Sequence, residues 1–167
     1  MAPPEIPPPY LDAWRTFLDA HAAATERIEQ QLAAAGLPPL SWYDALWPLH
    51  RAPGRRLRMG ALASEVVTIS RTGLTRLVDR LEAAGLVRRE PSSEDRRGTV
   101  VTITREGSAL LRRMWPVYAE EIRRCFAEPL REEQAAALHA ALSQVRAAAR
   151  GGPAPARKRR PRPRVVS

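Results

Sequence analysis

Cysteine is almost missing from this chain: Cys125 stands alone among 167 residues, so an intrachain disulfide and a thiolate-rich metal cluster are both excluded. The three histidines, His21, His50 and His139, are too scattered to form metal-ligand spacing, and no metal is expected. No apolar run approaches the roughly 20 residues needed to cross a bilayer. The opening residues, Met1 to Pro9, have neither a basic start nor an apolar stretch, so the expectation is a soluble cytoplasmic protein without a membrane partner. Also missing are a glycine-rich phosphate loop, a readable carboxylate pair, a His and Cys arrangement and a nucleophile elbow. Neither catalytic residues nor a cofactor are therefore expected. Lysine is reduced to Lys158, against many arginines and alanines, a bias that speaks of GC-rich coding rather than of function.

Aromatic residues make up 5% of the chain while apolar residues reach 44%, much of it alanine. That balance favours a mostly helical core of Leu, Val and Ala over a sheet. The length suits one compact domain with helical extensions and tails.

The net charge of +9 is unevenly placed. Residues 1–50 carry −4, residues 51–113 carry +7, residues 114–150 are neutral, and the last seventeen carry +6 from Arg157, Lys158, Arg159, Arg160, Arg162 and Arg164. A basic middle third is the footprint of a phosphate-binding module, whereas solvated helix faces would spread the charge evenly.

Along the chain, a Pro-rich start over residues 1–9 reads as extended and flexible. A first amphipathic helix follows from Tyr10, with Leu11, Trp14, Leu18, His21, Ile28 and Leu32 at helical steps until Gly36, Pro38 and Pro39 stop it. Ser41 with Asp44 reads as a capping box opening a second helix to about Arg51, with Pro48 predicting a kink or early end. After Ala52-Pro53-Gly54, a short helix over Gly60 to Glu65 buries Leu62 and Val66. The next helix starts on Ser70, stripes Leu74, Leu77, Val78 and Leu81 along one face, and ends at Gly85. Two strand patterns, Leu86 to Arg89 and Val100 to Ile103, flank a turn over Pro91 to Gly98 and form a hairpin. Thr104 caps a long helix whose apolar face runs from Leu110 to Phe126, interrupted by Pro116 and ended near Pro129. A last helix carries Leu138, Leu142 and Val145, and disorder is expected beyond Gly151.

Two short helices joined by a turn, the second capped by Ser70 and bearing Arg71, Thr72, Thr75, Arg76 and Arg80 on its free face, make a helix-turn-helix pattern with the hairpin as its wing. In that arrangement the second helix enters the major groove, where Thr and Arg meet base edges and phosphates.

From Leu57 to Gly107 the sequence resembles the MarR family of bacterial regulators. The carrying residues are Leu62-Ala63, Ser70 to Glu82, Gly85 to Arg89, and the wing series Asp95-Arg96-Arg97, Val101, Ile103, Thr104 and Gly107. The resemblance implies a homodimer on a double-stranded operator, with Arg97 at the wing tip, Arg96 beside it and Asp95 bracing the wing. A narrow minor groove, with its enhanced negative potential, attracts such an arginine. Gly73 departs from the family pattern, leaving specificity to rest on Arg71, Thr72, Thr75 and Arg76. The implied layout is a domain over 10–150, with dimerisation helices at 10–37 and 105–150, a winged core at 41–104, and a basic tail at 151–167. Apolar faces on the outer helices larger than a small winged core needs point to the same dimer.

Trp42, Tyr43, Trp47 and His50 cluster near the junction where relatives hold small molecules; they read either as a pocket for an aromatic or phenolic effector or as plain core. Cys125, beside Arg123 and Arg124, reads either as a reactive thiol or as a packed one. The tail either lies in minor grooves or is merely solvated. The resulting reading is a mostly α winged-helix regulator at the nucleoid, a repressor released by a small molecule. The alternative is an architectural DNA-binding protein with little sequence specificity.

Overall fold

The computed structural model describes residues 5–66, 70–91 and 98–151. Helix α1 spans Pro8–Ala34 and begins ahead of Tyr10. Prolines fit there because first-turn amides have no helical partner to lose, so the stretch read as extended up to Pro9 is helical from Pro8 onward. Gly36, at φ +66°, ends the helix in a Schellman motif, with Leu37 N donating to Leu32 O at 2.9 Å and Gly36 N to Ala33 O at 3.0 Å.

Helix α2 (Leu40–Arg51) ends at the expected residue but corrects its expected cap and an early end at Pro48. The Ser41–Asp44 capping box is not the cap: Pro39 holds the N-cap position, and the free amide of Leu40 donates to Glu29 Oε1 of α1 at 3.0 Å. Nor does Pro48 end the helix, which continues to Arg51 with the Pro48 ring buried, so packing offsets the missing amide bond.

A 3₁₀ turn (Pro53–Arg55) leads into β1 (Arg56–Arg58), a strand the sequence reading lacked. It joins β2 (Val87–Pro91) and β3 (Thr99–Ile103) in an antiparallel sheet ordered β1-β3-β2. Leu57 pairs with Val101, and Val87 with Ile103. Between the strands lie α3 (Met59–Glu65) and α4 (Arg71–Ala83). Gly85, at φ +72°, closes α4 with a second Schellman motif, in which Leu86 N donates to Leu81 O at 2.9 Å.

Helix α5 (Arg105–Ile122) is capped by Thr104, whose Oγ1 accepts from Gly107 N at 3.0 Å and donates to Gly85 O at 2.8 Å. One side chain thereby fastens the end of α4 to the start of α5. Gly107 is buried so tightly that a Cβ would collide with the Leu86 carbonyl and come within 2.8 Å of Ile103 Cγ1. The interruption expected at Pro116 does not occur: α5 runs through it, and the exposed ring and exposed Arg112 leave the freed carbonyl to water. A π-helical turn, Arg123–Ala127, follows.

The core gathers Leu46 and Leu49 of α2, Leu62 of α3, the α4 stripe, Val87, Val101 and Ile103 of the sheet, and Leu111 and Met114 of α5. Each such side chain contributes about 1.5–3 kcal/mol on leaving water. Where α1 meets α5, the guanidinium of Arg27 donates to the buried carboxylate of Glu121 at 2.5 Å.

The chain divides into two compact units, Met1–Cys125 and Phe126–Ser167. The second contains α6 (Glu132–Ala149), whose lead-in amide, Arg131 N, donates to Gln134 Oε1 at 3.0 Å. Leu138 and Leu142 are half-buried and Val145 exposed. The basic tail falls outside the described residues. Among the described residues, no helix is long and apolar enough to cross a membrane.

Candidate nucleic-acid interface

Helix α4 owes its orientation to its buried stripe. Leu74, Leu77, Val78 and Leu81 are at most 1% exposed, so the opposite face must look outward. Its first turn is fixed by Ser70, whose Oγ accepts from Gly73 N at 3.1 Å. The departure at Gly73 thus falls on the residue whose amide the cap engages. Thr72, Thr75, Arg76, Asp79 and Arg80 are exposed on the outward side, and Arg71 opens the helix. The structure therefore brings the candidate reading residues of α4 onto one element. Asp95, Arg96 and Arg97 lie outside the described residues.

The electrostatics of that face depend on a residue the sequence reading did not single out. Arg89, on β2, reaches back to α4 and holds Asp79 at 2.6 Å and Glu82 at 2.6 Å, while its own amide donates to Glu82 Oε1 at 2.8 Å. Hydrogen bonds from Arg89 hold the Glu82 carboxyl below its ordinary value, and the Arg89 guanidinium is raised in return, first by Glu82 and then by Asp79. Both acids of the outer half of α4 are neutralised from behind. Among the described residues, Arg76 and Arg80 have no carboxylate partner, and the face is left cationic.

Strand register adds further arginines. Thr102 of the central strand stands opposite Arg56 on one side and Arg88 on the other, and directly opposed residues of a sheet share a face. Arg56 and Arg88 are exposed, and Arg58, two positions on in β1, continues that face. The run of arginines at 51–58 was the available signal, but only the pairing of β1 shows that it joins the hairpin.

A second feature is a cleft of about 480 Å³ between α2 and α5, floored by Tyr43, walled by Trp47, Trp115 and Tyr118, and edged by Asp44 and Ile122. Tyr43 is buried and stacks at 15° on Trp47 and 21° on Trp115, with Tyr118 edge-on at 5.1 Å. Burial first, then Tyr118 and Asp44, pushes the Tyr43 hydroxyl up to about 12; Tyr118 is raised by burial and by Asp44. Of the four residues expected at a pocket, Tyr43 and Trp47 line it. Trp42 instead packs half-buried against the core, and His50 stacks behind Trp47 at 6.0 Å, its Nδ1 buried without a hydrogen-bond partner among the described residues. Trp115 and Tyr118 were missed because they belong to α5, far along the chain.

Cys125 is half-buried in the π-helical turn. Its neighbours Arg123 and Arg124 both bond Glu120, at 2.7 Å, and with Arg123 foremost they hold that carboxyl down at about 2.

A capped helix with a cationic outer face, preceded by a short helix and followed by a hairpin, defines a winged helix-turn-helix protein. A family model described as MarR family matches residues 35–98. The chain is similar to AbsC, a MarR family transcriptional regulator from Streptomyces coelicolor, at 32% identity with a TM-score of 0.80, over 89% of this chain and 99% of that one. It is comparably similar to Sco3205, a MarR family transcriptional regulator from the same organism solved in complex with DNA, at 31% identity and a TM-score of 0.80, over 88% and 91% of the two chains. Among curated relatives it is 39% identical to the transcriptional regulator PecS of Dickeya dadantii over 77 residues, 46% of each chain. The chain spans about half the length of the curated relatives it matches. The chain belongs to the MarR family of helix-turn-helix transcriptional regulators.

Proposed function

We propose that this protein is a sequence-specific DNA-binding regulator that sits on a pseudo-palindromic operator as a homodimer and acts as a repressor released by a small aromatic molecule. The observation that carries the reading is the outer face of α4, where Arg76 and Arg80 stand free of carboxylates among the described residues because Arg89 takes Asp79 and Glu82. Such a face suits an anionic groove, with α4 supplying base contacts and the arginines of the sheet supplying phosphate contacts. The DNA complex of Sco3205 supports the same reading.

Dimerisation is supported by α1, whose outer half exposes Tyr10, Trp14, Phe17 and Leu18 by 39–63%. An apolar row of that size is normally covered, and a second copy would cover it by symmetry. The aromatic cleft supplies a site for the releasing molecule, and no catalytic step is assigned to the chain.

The test is selection of bound duplexes from a random library at about physiological salt, where sequence-blind binding is weak. The expected result is a two-fold symmetric motif with half-sites roughly one helical turn apart. Absence of any motif, with binding confined to low salt, would replace this reading with the architectural one.

A further inference from the structure

We infer that the outer face of the three-stranded sheet, through the rung Arg56–Thr102–Arg88, grips backbone phosphates of duplex DNA beyond the stretch seated on α4 and so lengthens the footprint on DNA. This rests on the reading of the chain as a DNA-binding regulator and adds a second contact surface to it.

Strand register separates two surfaces. In the rung Leu57–Val101–Arg89, Val101 is buried in the core and Arg89 reaches α4, so that face of the sheet looks inward. Alternate residues of a strand face opposite sides, which turns the neighbouring rung, Arg56–Thr102–Arg88, away from α4. Both arginines are exposed, and among the described residues neither has a carboxylate partner. The next rung, Arg58–Val100–Glu90, carries one charge of each sign, so the positive surplus of the face sits on Arg56 and Arg88. Across three strands their backbones stand on the order of 10 Å apart. From that span two long side chains can converge on one phosphate or take successive ones, with the Thr102 hydroxyl between them as a further donor.

Backbone strain marks the same corner. Arg55, exposed at the head of β1, is a non-glycine residue at φ +56°, directly after Gly54 at +65°. A left-handed conformation costs free energy for a residue with a side chain and suits glycine better, so the turn itself does not call for arginine there. The Arg56 side chain folds back over Gly54, its Nε 3.6 Å from where a Cβ would stand, which keeps its guanidinium beside that turn. A sheet corner bearing Arg55, Arg56 and Arg88 suits the phosphates of nucleic acid. Because α4 lies on the other side of the sheet, a duplex seated on α4 meets this face only where it continues past the sheet, and the phosphates taken lie outside the half-site.

The experiment uses the full chain and two lengths of the duplex selected from the random library: the two-fold motif alone, and the motif extended on each side by about ten base pairs, one helical turn. Anisotropy titration over a range of salt should show the extended duplex bound about tenfold tighter, with a steeper salt dependence. Arg56→Gln with Arg88→Gln should abolish that gain and lower the salt slope by about two per bound copy, while affinity for the motif alone stays within about twofold of the parent. Arg55→Gly should lose part of the gain with a urea midpoint no lower than the parent's, because it relieves the strained turn. A parent chain indifferent to length overturns the inference, and so does a double variant that keeps the gain or loses equally on both lengths. The single variants Arg56→Gln and Arg88→Gln, each at an exposed position, repeat the test should the pair fail to fold. A mixed-sequence duplex of about forty base pairs is titrated in parallel at low salt. If no motif is selected yet the double variant loses slope on this duplex, the regulator reading falls and the phosphate rung stands. If a motif is selected and length has no effect, the reverse holds.

Discussion

Arg89 bonds Asp79 from behind helix α4, its guanidinium 2.6 Å from the carboxylate and equally close to Glu82. A strand residue thereby sets the charge of a helix face it does not belong to. Replacing it, Arg89→Ala, should release two carboxylates beside Arg76 and Arg80 and weaken operator binding about tenfold at low salt. The loss of stability should stay below about 1 kcal/mol, because the groups are partly exposed. Anisotropy titration and urea unfolding separate the two effects. The pH sign follows from Glu82, whose carboxyl is held below its ordinary 4.5 when folded. Its contribution is present above the unfolded value and disappears as pH falls through the lower folded one, and Arg89→Ala should remove that slope.

Arg76→Ala should cost about 1–3 kcal/mol of operator binding and relax preference at one base position. Arg80→Ala should instead weaken all sequences alike and reduce the salt slope by about one. If both variants bind operator as the parent does, α4 is not the reading helix.

Gly107→Ala should destabilise the fold by about 1–3 kcal/mol, since the new methyl meets the Leu86 carbonyl and Ile103 where hairpin and α5 converge. Chemical denaturation reads this directly. An unchanged midpoint would mean that the approach of α5 to the hairpin is looser than described.

Glu121 is 3% exposed and takes its bond from Arg27 across the contact between α1 and α5. Arg27→Leu should cost about 2 kcal/mol by leaving a buried carboxylate, with Arg124 at 3.6 Å a distant substitute. The double variant Arg27→Leu, Glu121→Leu should recover part of that loss. Strict additivity in the double-mutant cycle would deny the coupling.

Trp14→Glu together with Phe17→Glu places charges in the exposed row of α1. Sedimentation should show the proposed homodimer dissociating to monomers with little change in helix content, and operator affinity should fall with it. A dimer that persists would show that α1 is not its seam.

Features closed within a few residues were readable from the sequence. Ser70 reaches Gly73, Thr104 reaches Gly107, and Gly36 and Gly85 turn the chain where two helices stop. Each depends on one cap bond or one positive φ, which residue type alone can signal. The stripe from Leu74 to Leu81 was equally plain, because period 3.6 survives whatever the helix packs against. The MarR-like motif lay in this same stretch, so the fold and the capped, arginine-bearing helix α4 were legible together.

The remainder was decided by partners distant in sequence. Whether Pro48 and Pro116 break their helices depends on what surrounds each ring, and both helices continue. The cap of α2 came from Glu29 on another helix, and β1 exists because Leu57 meets Val101. Trp115 and Tyr118 joined Tyr43 and Trp47 only when α5 lay across α2, and Arg89 met Asp79 only when β2 folded behind α4. By itself the sequence determined where most helices start and stop and which faces they bury, since those are local hydrogen bonds and periodicities. Tertiary structure alone decided the charge of the outer face of α4 and the walls of the cleft, because both arise from side chains that chain spacing does not relate.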